Sequence, residues 1–141
     1  MSKFSGGCLC GAVRYECSGE PIVTAHCYCV DCRKASGTSH CTHIMMRKDD
    51  VAASGPVKWY DRAADSGNVV SRGFCSECGS AVLSRNSGVP NASFVRASSL
   101  DDLEAVTPAM IVYAARAPSW AHMDESLPSF PEMPPGGPPE I

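Results

Sequence analysis

The sequence lacks several features that would each indicate a particular class of protein. It has no apolar run near the roughly 20 residues that a membrane-spanning helix needs, and residues 1–7 contain no apolar stretch typical of a secretion signal. Basic charge is not in excess, since 12 lysine and arginine residues stand against 15 acidic residues. These absences predict a soluble, cytoplasmic protein with no membrane partner and no nucleic-acid partner.

Long helical patterns are also scarce, and the chain is instead divided into short apolar or alternating segments by turns rich in glycine and serine. Two single helical turns are expected, at residues 31–36 and 100–103. The predicted strands cover residues 12–17, 22–28, 40–46, 57–60, 69–74, 80–83, 93–97 and 110–114. At 141 residues the chain is long enough for one domain, and the pattern predicts a mostly β fold over residues 1–127.

The last segment, residues 128–141, contains six of the eleven prolines. Proline cannot donate to a strand ladder, so the segment is predicted to be an extended tail rather than a strand. Its composition is compatible with packing over the body of the protein or with mobility.

Cysteine is abundant, with nine residues in the chain, and seven of them form three tight groups. The groups are Cys8 and Cys10; Cys27, Cys29 and Cys32; and Cys75 and Cys78. In a reducing compartment disulfides rarely persist, and disulfides between such close neighbours would be strained. Thiols one to three positions apart converge readily on one zinc ion, so metal binding is the leading interpretation.

Cys75 and Cys78 have the spacing of a zinc knuckle, which supplies two ligands and needs two more from elsewhere. A thioredoxin-like redox pair has the same spacing, but no strand-helix-strand pattern follows these residues.

Seven clustered thiols divide naturally into four and three. A four-cysteine zinc site is closed and structural, whereas a three-cysteine site keeps one position for substrate or water. Because Cys27, Cys29 and Cys32 alone supply three local ligands, they are expected to form the open, catalytic site. The closed site then falls to Cys8, Cys10, Cys75 and Cys78. A single zinc with idle thiols, or a second site closed by His26, His40 or Cys41, remains an alternative.

Three segments resemble the glutathione-dependent formaldehyde-activating enzyme family, which includes centromere protein V. They are residues 6–15 (GGCLCGAVRY), 26–37 (HCYCVDCRKASG) and 72–80 (RGFCSECGS). The resemblance extends over roughly residues 5–131. It implies a β-tent of antiparallel sheets that holds two zinc ions, one structural and one catalytic, at the cysteines already partitioned above.

The activity implied by the resemblance is the joining of formaldehyde to glutathione, formally a carbon-sulfur lyase reaction in reverse. Glutathione or another small thiol adduct would be the partner, while the sequence carries no signal for oligomeric state. The chain is shorter than the founding enzymes, and it has Met110 where many relatives carry histidine. An alternative of a different class is a non-catalytic, zinc-stabilised binding module.

Further candidate residues follow the three-cysteine group. Arg33 is placed to meet a substrate carboxylate, while Ser36 and Gly37 offer a hydroxyl and backbone amides to substrate. Three histidines, His26, His40 and His43, are candidate proton shuttles.

Overall fold

A computed structural model describes residues 3–141, so Met1 and Ser2, which open the segment predicted to lack a secretion signal, lie outside the described residues. The elements in chain order are β1 (Phe4–Gly7), β2 (Arg14–Cys17), β3 (Val23–Cys27), α1 (Val30–Ser36), β4 (Cys41–Arg47), β5 (Val51–Ser54), β6 (Val57–Ala63), β7 (Val69–Cys75), β8 (Ala81–Asn86), β9 (Ala92–Arg96) and β10 (Met110–Val112). Four 3₁₀ turns lie at Lys48–Asp50, Ala97–Ser99, Leu103–Ala105 and Ala114–Arg116.

The strands form two sheets. The smaller has the order β1-β2-β5, and the larger has the order β10-β3-β4-β9-β8-β7-β6. All pairings are antiparallel except that of β10 with β3, which is parallel. The predicted mostly β fold with antiparallel sheets is confirmed, with this one parallel edge as an exception.

Each of the eight predicted strand segments contains a strand, whereas β1 and β5 were not predicted. The β1 segment includes two glycines and β5 is largely exposed, so neither carries an apolar alternation. Both strands depend on backbone pairing with β2, which lies between them in the sheet. The helical turn expected at 100–103 is displaced, because the 3₁₀ turns lie just before and just after Leu100.

The main core lies between the two sheets. It combines residues of β2 and the residue just before it with residues from the middle of the large sheet, all almost completely buried: Val13, Tyr15, Cys17, Ile44, Met46, Val82 and Val95. Cys17 is thus a buried apolar side chain, and burial raises the pKa of its thiol to about 12.

The small sheet is held against the segment that follows β9. Asp101 accepts hydrogen bonds from the Arg14 guanidinium (2.9 Å) and from the Ser5 hydroxyl (2.8 Å). The Tyr15 hydroxyl lies 2.6 Å from that of Ser99. At Gly6 a Cβ atom would come within 2.4 Å of the Ser99 carbonyl oxygen, so only glycine allows this close approach.

The proline-rich segment runs beside β10. Phe130 N–H donates to the Ile111 carbonyl (2.9 Å), and Ile111 N–H donates to the Pro128 carbonyl (2.9 Å). Arg116 forms an ion pair with Glu132. In the described part of the chain no strand of three or more residues follows β10, in agreement with the proline content. The domain boundary after residue 127 stays a prediction.

Among residues 3–141 the structure contains no helix with the length and apolar character needed to cross a membrane.

Candidate metal centres and an adjoining cavity

Four thiols from distant parts of the chain meet at one place, which we name the four-thiol cluster. It consists of Cys8, Cys10, Cys75 and Cys78. The first two lie in the turn between β1 and β2, and the last two lie at the end of β7 and in the turn after it. The four Sγ atoms lie within 4.8 Å of one another, although Cys10 and Cys75 are 65 positions apart.

The geometry of the four-thiol cluster fits a tetrahedral zinc ion. Zinc-sulfur bonds of about 2.3 Å place the sulfurs of a tetrahedron about 3.8 Å apart. The Sγ atoms of Cys8 and Cys10 are 3.7 Å apart, and those of Cys10 and Cys75 are 3.8 Å apart. Backbone N–H groups of Val13 and Glu77 donate to Cys8 Sγ (3.2 Å) and Cys75 Sγ (3.4 Å), as is common around clustered thiolate ligands.

A second group, the three-thiol cluster, consists of Cys27, Cys29 and Cys32, whose Sγ atoms also lie within 4.8 Å of one another. Cys27 ends β3, Cys29 is the N-cap of α1, and Cys32 lies in its first turn. The Cys32 N–H donates to Cys29 Sγ (3.3 Å). Hydrogen bonds from the Cys27 and Cys32 thiols lower the pKa of Cys29.

The surroundings of the three-thiol cluster leave it with three ligands. No histidine or carboxylate of residues 3–141 joins the group, and Cys41 packs against it without entering it. His43 Nε2 lies 3.3 Å from Cys32 Sγ. Burial, reinforced by the positive charges of Arg96 and Arg72, lowers the pKa of His43 to about 3, so its imidazole is neutral at pH 7.

One side of the three-thiol cluster is covered by apolar side chains. Met110, Tyr113 and Phe130 pack against it, and Phe130 comes from the proline-rich segment. Tyr113 has the left-handed backbone conformation (φ 56°), which is a strained one for a residue with a side chain. The segment after residue 127 therefore contributes directly to the surface of this cluster.

We expect Phe130→Ala to expose the three-thiol cluster. In protein whose four-thiol cluster keeps its zinc, iodoacetamide should alkylate the thiols of the three-thiol cluster several-fold faster, because the phenyl ring no longer packs against the buried group that includes Cys27 and Cys32. The free energy of unfolding should fall by about 1–2 kcal/mol, since the ring is only half-buried. Peptide mass mapping over time measures the alkylation. The matched control is Trp120→Ala, at a side chain that is 64% exposed, and equal rates in both variants would contradict the covering role.

A cavity of about 790 Å³, a size typical of small-molecule sites, lies beside the four-thiol cluster, whose Cys8 is part of its lining. Cys27, Cys29 and Cys32 do not line the cavity, but the lining residue Cys41 packs against the three-thiol cluster. The lining is mostly polar and includes Arg14, Ser36, Thr38, His40, Thr42, Ser80, Arg96, Ser98, Ser99 and Asp101.

Of the three predicted substrate-binding residues, only Ser36 lines the cavity. Its hydroxyl already donates to the carbonyl of His40 (2.9 Å). Gly37 ends α1 in the left-handed conformation (φ 79°) and Arg33 lies in the last turn of the same helix. Neither Gly37 nor Arg33 is part of the cavity lining.

Of the three candidate histidines, His26 and His40 contact each other, whereas His43 lies beside the three-thiol cluster. His40 lines the cavity, and its ring stacks on Tyr28. The ring of His26 meets that of His40 edge-on, and its Nδ1 lies 2.7 Å from the Thr42 hydroxyl. Burial lowers the pKa of both rings, so the neutral imidazoles are favoured at pH 7.

Sequence reasoning missed Arg96, which is buried at the end of β9 and lines the cavity. Its signal was present, because it is the charged residue in the otherwise uncharged predicted strand 93–97. Phe130 was missed because its contact with the cysteines joins distant segments.

These observations define a mostly β protein with two clusters of thiols that could hold metal ions and a polar cavity lined by Cys8 of one cluster and by Cys41, which packs against the other. The family model for the glutathione-dependent formaldehyde-activating enzyme matches residues 3–116, and the chain belongs to this family. Membership supports glutathione-dependent formaldehyde activation as the general activity, with glutathione as the substrate partner.

A solved structure has a similar fold. It is the crystal structure of a Rhodobacter sphaeroides protein, solved as a Northeast Structural Genomics target, and it is 22% identical in sequence. The match covers 74% of this chain and 91% of that chain, with a TM-score of 0.57. No curated protein sequence matches the chain significantly.

Proposed function

We propose that the protein is a zinc-dependent carbon-sulfur lyase that forms and cleaves S-hydroxymethylglutathione. In this proposal the three-thiol cluster, Cys27, Cys29 and Cys32, is the catalytic metal site. The four-thiol cluster is the structural one, so each chain holds two zinc ions. The observation that carries the proposal is a three-ligand cluster beside a polar cavity, in a chain of this family.

The ligand number favours thiol chemistry over water activation. A zinc ion held by three thiolates would supply a fourth position at which a substrate thiol is held as its thiolate at neutral pH. Three anionic ligands make the site electron-rich, which reduces its strength as a Lewis acid toward water. Neutral His43 beside Cys32 adds no further charge.

The reaction adds glutathione to formaldehyde and needs neither an oxidant nor a reductant. The thiol proton is removed and the sulfur bonds to the aldehyde carbon, whose carbonyl electron pair moves to the oxygen. That oxygen then takes up a proton. We propose His40 for this proton transfer, because it lines the cavity and its neutral ring can both donate and accept. Its Nδ1 lies 3.2 Å from the Ser39 hydroxyl, which orients the ring.

The substrate-binding roles of Arg33, Ser36 and Gly37 stay proposals of unequal support. The Ser36 hydroxyl joins the end of α1 to the turn that carries His40, so it positions the proton-transfer group. Gly37 makes this tight turn possible through its positive φ. Arg33 would meet only a part of the substrate that extends beyond the cavity.

All nine cysteines are unpaired, so the proposed chemistry belongs in a reducing compartment such as the cytoplasm. Oxidation would join neighbouring thiols of a cluster and remove the ligands.

The test combines metal counting with exchange kinetics. Native mass spectrometry of the freshly purified protein should show two zinc ions per chain and a saturable glutathione adduct. Exchange NMR with ¹³C-formaldehyde and glutathione should show faster formation and breakdown of the adduct than in buffer. The control is Cys17→Ala, a buried cysteine outside both clusters.

Two zinc ions without any glutathione adduct or rate increase would overturn the lyase proposal. That result would favour the alternative, a zinc-stabilised binding module without catalysis.

A further inference from the structure

Arg96 is a buried cation without a complete set of partners. Its side chain lies at the end of β9, the residue is only 5% exposed, and its Nη2 atom is buried with no hydrogen-bond partner among residues 3–141. The same residue lines the cavity. A guanidinium stays charged at any physiological pH, and burying one without an acceptor is costly. Such a group indicates a site for an anionic ligand.

The other charged residues of the cavity lining do not neutralise Arg96. Asp101 is the acidic lining residue, and both its oxygens accept hydrogen bonds from Arg14, at 2.9 and 2.5 Å. The Ser5 hydroxyl also donates to it. Arg14 and Asp101 therefore pair with each other, and no carboxylate of the lining is left to pair with Arg96.

Arg96 lies close to the three-thiol cluster. It pairs across the strands with His43, whose Nε2 is 3.3 Å from Cys32 Sγ. Neighbouring strands are about 4.8 Å apart, so one strand spacing separates the backbone of Arg96 from that of the residue touching the cluster. A thiol whose sulfur lies at the cluster could extend an anionic end toward Arg96.

The anionic group that Arg96 would meet is best identified as a carboxylate. Glutathione, on which enzymes of this family depend, carries carboxylates and no phosphate. The guanidinium fork also suits the planar carboxylate geometry. We infer that Arg96 binds a carboxylate of the thiol substrate and thereby determines specificity for acidic thiols such as glutathione. The inference rests on the proposed function for the position of the sulfur, but the carboxylate contact can be tested separately.

The test compares three probes by isothermal titration calorimetry. Glutathione has both thiol and carboxylates, its diethyl ester keeps the thiol but has no carboxylate, and S-methylglutathione keeps the carboxylates but has no free thiol. The wild-type protein should bind glutathione about 10- to 100-fold more tightly than the diester, the range expected for hydrogen bonds between charged groups. In Arg96→Met the ratio of the affinities for glutathione and its diethyl ester should fall nearly to one. The affinity for S-methylglutathione should fall by about the same 10- to 100-fold.

Two further variants keep the experiment decisive. Arg85→Met is the matched control, because Arg85 is exposed, lies over Trp59 and is not part of the cavity lining. It should keep the wild-type preference. Arg96→Lys keeps the charge but lacks the fork, so it should retain only part of the preference. If circular dichroism shows that Arg96→Met does not fold, the lysine variant decides.

The outcomes separate this inference from the proposed function. An unchanged preference in a folded Arg96 variant overturns the inference, even where exchange NMR shows catalysis. A preference that depends on Arg96, without catalysis, supports the inference and contradicts the lyase. Wild-type protein that binds none of the three probes overturns the inference.

Discussion

Replacement of Cys78 by serine is expected to unfold most of the protein at 25 °C. The four-thiol cluster joins the turn after β1 to the turn after β7, and thus connects the two sheets. Structural zinc sites contribute about 10–16 kcal/mol in small domains, as much as or more than the total stability of about 5–15 kcal/mol of an ordinary protein. Thermal unfolding by circular dichroism and metal analysis would measure the loss.

The control for Cys78→Ser is Cys17→Ala, which also removes a thiol but lies outside both clusters. Cys17 is fully buried in the core, so we expect a loss of only about 1–2 kcal/mol from the small cavity. A folded Cys78→Ser protein with the melting temperature of the wild type would contradict a structural role for the four-thiol cluster.

Replacement of Cys29 by serine is expected to leave a folded protein with one zinc ion fewer and at least about 100-fold lower activity. Catalytic metals contribute several kcal/mol to lowering the barrier, and a serine hydroxyl is a poor zinc ligand. Serine retains the other function of Cys29, because it is a preferred N-cap residue and can accept the hydrogen bond from Cys32 N–H.

Comparison with Cys29→Ala separates capping from metal binding. Alanine removes both the ligand and the cap, so we expect the same loss of activity together with about 1 kcal/mol lower stability than in the serine variant. Chemical denaturation of the two variants, each with zinc still bound at the four-thiol cluster, measures the difference. Unfolding of Cys29→Ser would instead indicate that the three-thiol cluster is structural as well.

The sequence predicted the strands whose residues form an apolar or alternating pattern, and it missed β1 and β5, which have no such pattern. Segments such as 40–46 and 69–74 have enough apolar residues to indicate a strand locally, and both contain one. The backbones of β1 and β5 are held by pairing with β2, which lies between them. That pairing depends on residues more than 30 positions apart in the case of β2 and β5, and no local pattern contains it.

The substrate side of the site was less predictable than its thiols. Residues 33, 36 and 37 were chosen for their proximity in sequence to Cys32, yet of these only Ser36 lines the cavity. The lining instead draws on β9 and the segment after it, more than 50 positions further along the chain. Arg96 lines the cavity and Arg33 does not. This difference depends on the order of the strands in the sheet, which the spacing of the cysteines in the sequence does not determine.

The sequence by itself determined the grouping of the cysteines, because thiols one to three positions apart are brought together by a single turn, whatever the rest of the chain does. It also determined that the fold is mostly β. Only the tertiary structure decided that Arg96 is buried without a full set of partners beside the thiols and that Phe130 covers them. Both features arise from packing between distant segments, where the neighbours of a side chain, rather than its own identity, set its charge balance and exposure.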